Sequence, residues 1–85
     1  MSHAFYSDAA EKARVELTRG ERTAVEAVRA SLEADPRQGD AVPGSDLQVV
    51  DLEPEETGGG RGISVVYRHD EALDAVLIVW LVAGP

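Results

Sequence analysis

Eighty-five residues without a cysteine are expected to make one domain with a modest core, and they exclude disulfides, thiolate metal sites and cysteine nucleophiles. Sixteen acidic against eight basic residues leave a formal charge of −8, a field that repels nucleic-acid backbones and anionic membranes and favours basic partners. The acidity is uneven, because residues 1–40 hold eight Asp/Glu and six Lys/Arg whereas residues 41–85 hold eight against only Arg61 and Arg68.

The amino-terminal MSHAFYSD lacks the basic start and apolar stretch of a signal peptide, and the longest apolar run, Ala75 to Ala83, is too short to span a bilayer. The expectation is a soluble, cytoplasmic protein. Ala4-Phe5-Tyr6 suits an opening strand, and Ser7-Asp8 offers a helix N-cap followed by an acid that favours the helix dipole. The first helix should turn Ala10, Ala13 or Arg14, and Leu17 inward, leaving Glu11, Lys12 and Glu16 to water.

Thr18-Arg19-Gly20-Glu21 then fits a capping box, in which the Thr18 hydroxyl and the Glu21 carboxylate each accept from an otherwise unpaired backbone N–H. The second helix carries Val25, Val28 and Leu32, flanked by Ala24 and Ala27, as one apolar stripe. Pro36 stops it, since proline has no N–H to donate and pushes its predecessor out of helical geometry. Residues 36–46 read as a surface connection.

Leu47 to Leu52 resumes strand character, and PEETGGG after it reads as a flexible hairpin tip. A phosphate cradle would need a helix N-terminus after the glycines, and a strand follows instead. Ile63, Val65 and Tyr67 alternate with Ser64, Val66 and Arg68, the period of a strand with one buried face. A turn is expected over Arg68 to Asp74. Ala75 to Val82 has no polar alternation, which predicts a central strand covered on both faces, the helices on one side and a partner over Trp80 or its neighbours on the other.

Catalytic chemistry finds little support. His3 and His69 are the available imidazoles, one near the terminus and one in a polar turn beside Asp70 and Glu71, where adjacent residues seldom converge on one ion. Glu53, Glu55 and Glu56 flank a loop that does not fix their separation, and no histidine is placed to activate Ser64. Tyr67 reads first as core packing on an inward strand position, although a hydroxyl at the rim of a buried face could act on a ligand. No cofactor and no metal is expected.

The segments FYSDAAEKARVEL, ERTAVEAVRASLEADPRQG, LQVVDL, ISVVYRHDE and AVLIVWLVAG, in that order, resemble the RelE/ParE superfamily of toxins from bacterial type II toxin–antitoxin systems over residues 4–84. Two local echoes carry the likeness: a helix ending in a DP dipeptide, and a strand ending in VVYRHDE where the family often has a Gly-x-x-Arg-x-x-Tyr-type strand and an acidic turn. The resemblance implies an α+β fold of order β-α-α-β-β-β, a helical hairpin on a small, mostly antiparallel curved sheet. Aligning Tyr67 with the family tyrosine puts Ser64 where RNA-cutting members usually carry an arginine, with Arg61 three residues away. Those members also continue into a tail bearing basic, histidine or tyrosine residues, where this sequence reads Ala83-Gly84-Pro85.

The resemblance therefore implies a divergent toxin-family protein that is non-catalytic and acts by binding protein, as the gyrase-inhibiting branch does. An antitoxin-like partner, basic and amphipathic, would dock between the hairpin and the sheet, with Val28, Leu32, Tyr67 and Trp80 as anchors. One alternative is a degenerate messenger ribonuclease in which Arg61, Tyr67 and Arg68 replace the usual constellation. Another is a small acidic homodimer. Direct nucleic-acid binding is disfavoured by the charge.

Overall fold

The computed structural model describes residues 2–84; Met1, which opens the amino-terminal reading, and Pro85, which closes the carboxy-terminal one, lie outside the described residues. The chain runs β1 (His3–Tyr6), α1 (Asp8–Val15), α2 (Arg19–Ala34), β2 (Asp40–Ala41), β3 (Leu47–Leu52), a 3-10 turn (Pro54–Thr57), β4 (Ile63–Asp70) and β5 (Ala75–Ala83). Two helices thus pack on one mixed sheet of strand order β1-β5-β4-β3-β2, antiparallel throughout except for the parallel pair β1 and β5. This is the α+β architecture that the sequence implied, enlarged by the short edge strand β2.

Local chemistry sets the helix ends. The Ser7 hydroxyl accepts from the Ala10 N–H at 3.1 Å and donates to the Val79 carbonyl at 2.8 Å, so one side chain both starts α1 and ties it to β5. The capping box forms as expected: the Glu21 N–H donates to the Thr18 hydroxyl and the Thr18 N–H to the Glu21 carboxylate. α2 ends with Ala34, two residues before Pro36.

The core lies between the hairpin and the inner face of the sheet. Ala10, Leu17, Val25, Val28 and Leu32 meet Ala4, Leu52, Ile63, Val65, Tyr67, Val76, Ile78 and Leu81, all buried. At about 25 cal/mol per Å² of apolar area this layer is the main favourable term in folding.

Three expectations change. Residues 36–46 hold the two-residue strand β2, which pairs with Gln48 and Val49 through a register that propensity does not encode. The loop after β3 is partly structured, because Pro54–Thr57 closes a 3-10 turn and buries Thr57, whose hydroxyl lies 3.0 Å from the carbonyls of both Pro54 and Arg61. β4 continues through Arg68 to Asp70, paired with β5, so the turn shrinks to residues 71–74.

β5 is internal to the sheet, but one of its faces is open: Trp80 and Val82 remain 54 % and 55 % exposed. A β-bulge produces this. Tyr67 pairs with Ile78 and Val66 with Trp80, so Val79 is an extra residue and the in–out alternation is reset. Before the bulge the even residues Val76 and Ile78 point into the core; after it Leu81 does, and Trp80 turns outward.

Candidate functional site: the open face of the sheet

Residues that pair across neighbouring strands share a face. The register therefore places three rows opposite the helices: Phe5, Leu77, Arg68 and Leu47; Trp80, Val66 and Val49; Val82, Ser64 and Asp51. Phe5 is 58 % exposed, and with Trp80 and Val82 it leaves large apolar side chains on one side of a small molecule. A depression of about 300 Å³ lies at the β4–β5 turn end of this face, lined by Phe5, Arg68, Asp70, Leu73 and Leu77 among others.

Arg61, Tyr67 and Arg68 do not converge. Arg61 precedes β4 on the helical side, where its backbone N–H donates to the Glu21 carboxylate at 2.9 Å and its guanidinium at 3.2 Å. That guanidinium, first, and the N–H groups of Thr18 and Arg61 hold the buried Glu21 carboxyl down at about 2. Tyr67 is fully buried: its hydroxyl donates to Gln48 Oε1 at 3.0 Å and accepts from the Gly39 N–H at 2.9 Å. Burial, above all, pushes its phenol above the ordinary value, away from any role as a base near neutral pH. Arg68 follows Tyr67 in the strand and so points to the opposite face, half-exposed, 4.0 Å from Asp46.

The expected anchors separate in the same way. Val28, Leu32 and Tyr67 are buried in the chain's own core, where they fill the space between hairpin and sheet. Of the four, Trp80 alone is exposed. Phe5, Leu73 and Val82 were not anticipated. The alternation of β1 could have pointed to Phe5, but nothing in the sequence signals the bulge that exposes Val82 and Trp80 together.

Among the described residues no cluster of three or more His, Asp or Glu side chains is placed to hold a metal ion, and no helix is long and apolar enough to cross a membrane. His69 is partly buried in β4, whereas Asp70 and Glu71 lie exposed at the turn, Glu71 paired with Arg37.

No family model and no curated protein matches the sequence. The fold nevertheless has counterparts among solved structures, and it is RelE-like. The chain superposes on the structure of the intact E. coli RelBE toxin–antitoxin complex with a TM-score of 0.82 at 14 % identity, covering 100 % of this chain and 99 % of that one. The isolated E. coli RelE toxin gives the same score and identity over 100 % of this chain and 86 % of that chain. A double arginine-to-alanine mutant of E. coli RelE in the free state gives 0.76, also at 14 % identity, over 95 % and 82 %. The chain has a RelE-like fold; at this identity the likeness speaks to the fold alone.

Proposed function

We propose that this chain is a divergent RelE/ParE-like protein that acts in the cytoplasm by binding another protein, an antitoxin-like partner or a cellular target, and does not cut RNA. The observation that carries the reading is the dispersal of Arg61, Tyr67 and Arg68 over three environments. Cleavage of a phosphodiester needs acid–base and charge-stabilising groups within a few ångströms of one phosphate. Here one arginine is bound to a buried carboxylate, the tyrosine hydroxyl is doubly hydrogen-bonded in the core, and the remaining arginine faces away from both.

The open sheet face supplies what the catalytic reading lacks. Aromatic residues at the centre of an exposed apolar patch are the usual energetic anchors of an interface, and Trp80 stands between the rows of Phe5 and Val82. The structural counterpart bound to an antitoxin supports a protein partner for this chain too. Affinity purification of the tagged chain from its native host tests the reading. A stoichiometric partner should co-purify with the wild type and be lost with Trp80→Glu; recovery of the chain alone, or retention by the variant, counts against it.

A further inference from the structure

We infer that the open face takes a cationic amphipathic helix, an assignment that rests on the protein-binding reading above and specifies the partner's chemistry. A sheet with apolar residues on both sides needs a layer on each, and α1 and α2 supply only one. The missing layer belongs on the open face and not at the β1 edge. At the β1 edge the Ala4 N–H already donates to the Glu33 carboxylate at 3.2 Å and the Ala4 carbonyl accepts from Arg29 at 3.3 Å, so an added strand finds these groups occupied.

Size and charge select the occupant. The stripe from Leu77 through Trp80 to Val82 is roughly 16 Å long at about 3.3 Å per residue, the length of three helical turns of about 5.4 Å. The depression between Phe5, Leu73 and Leu77 would receive an apolar side chain from a turn at one end. Around the stripe stand carboxylates: Asp40 pairs across from Val49, Asp51 from Ser64 and Asp70 from Ala75, with Asp46 beside Arg68. Of the two basic residues in positions 41–85, Arg61 is engaged with Glu21 on the helical side, which leaves Arg68 alone against these acids. A helix with an apolar stripe flanked by Lys or Arg complements this pattern; a second copy of this acidic chain, or an anionic helix, does not.

The chain holds one tryptophan, so Trp80 reports directly on occupancy of this face. The probes are three 14-residue synthetic peptides: a Leu/Lys peptide with Leu at helical three-and-four spacing, a Leu/Glu peptide of the same pattern, and a Leu/Lys peptide of scrambled order. Titrated into the full chain, the patterned Leu/Lys peptide should shift Trp80 emission to the blue and saturate. Its binding should weaken at high salt, and by about tenfold or more in Val82→Asp and in Asp51→Asn/Asp70→Asn, with circular dichroism confirming that the variants stay folded. Equal binding of the Leu/Glu or scrambled peptide, no binding of the patterned Leu/Lys peptide, or a Trp80 shift that depends on protein concentration alone would overturn the assignment. A native partner captured through Trp80 despite such a result would leave protein binding standing and remove only the cationic helix.

Discussion

Glu21 and Arg61, forty positions apart, share one ion pair between a buried carboxylate and a half-exposed guanidinium: the Glu21 carboxylate, 1 % exposed as a residue, accepts from the Arg61 backbone N–H at 2.9 Å and from its guanidinium at 3.2 Å while closing the capping box of α2 at Thr18. One side chain thus fixes the start of the longest helix and the loop that delivers β4. The glycines beside it are sized for the contact. A Cβ on Gly60 would stand 2.9 Å from Glu21 Oε2, and one on Gly20 only 2.7 Å from the Thr57 carbonyl.

The pair makes stability pH-dependent in a defined direction. Glu21 is depressed from the usual 4.5 to about 2, chiefly by the Arg61 guanidinium, so the folded state binds its proton less readily than the unfolded chain. Its contribution is present in full above about 4.5 and is lost as pH falls through about 2. Urea midpoints measured from pH 6 down to pH 2 should fall across this window in the wild type. In Arg61→Ala the fall should be shallower and the midpoint at pH 6 lower.

Gly20→Ala should destabilise by about 1–3 kcal/mol, because the clashing atom is a backbone carbonyl that cannot move aside without distorting the 3-10 turn. Gly44→Ala makes the informative contrast. There the space is open and only the positive φ of 76° opposes the change, so thermal melts should show a smaller loss.

Tyr67→Phe removes a hydroxyl that satisfies both Gln48 and the Gly39 N–H, and should cost about 1–3 kcal/mol in chemical denaturation. Partner binding by the folded fraction should be unchanged. A loss of function with stability intact would instead revive a functional role for the hydroxyl.

Trp80 and Leu81 test the bulge. They are neighbours in β5, yet Trp80 is more than half exposed and Leu81 is 9 % exposed. Trp80→Asp should leave a cooperative fold within about 1 kcal/mol of wild type, whereas Leu81→Asp places a charge in the core and should lose several kcal/mol or the fold itself. Equal tolerance at both sites in a melting experiment would contradict the register after Val79.

Much of this architecture was legible because it is written in local chemistry. The Thr18–Glu21 box, the Val25–Val28–Leu32 stripe, Pro36 and the alternation through Ile63, Val65 and Tyr67 each specify their element over a few residues. What the sequence concealed depends on contacts far along the chain. Strand β2 exists only through its pairing with β3, and Arg61 looks free until the fold brings Glu21 to it. Period-two reasoning also assumes unbroken parity, which cannot sort the apolar run of β5 into faces, whereas the extra residue Val79 shows the run to be two inward sets joined by a phase shift. The same shift hides Val82 on the open face, whereas Phe5 on β1 lies outside its reach and follows the alternation of its own strand.

Expressing the chain under tight control in bacteria and mapping the ends of translated messages separates action through protein binding from RNA cleavage. With protein binding alone, messages stay intact whether or not growth arrests. New, discrete message ends that appear on induction and vanish with Arg68→Ala would contradict that reading.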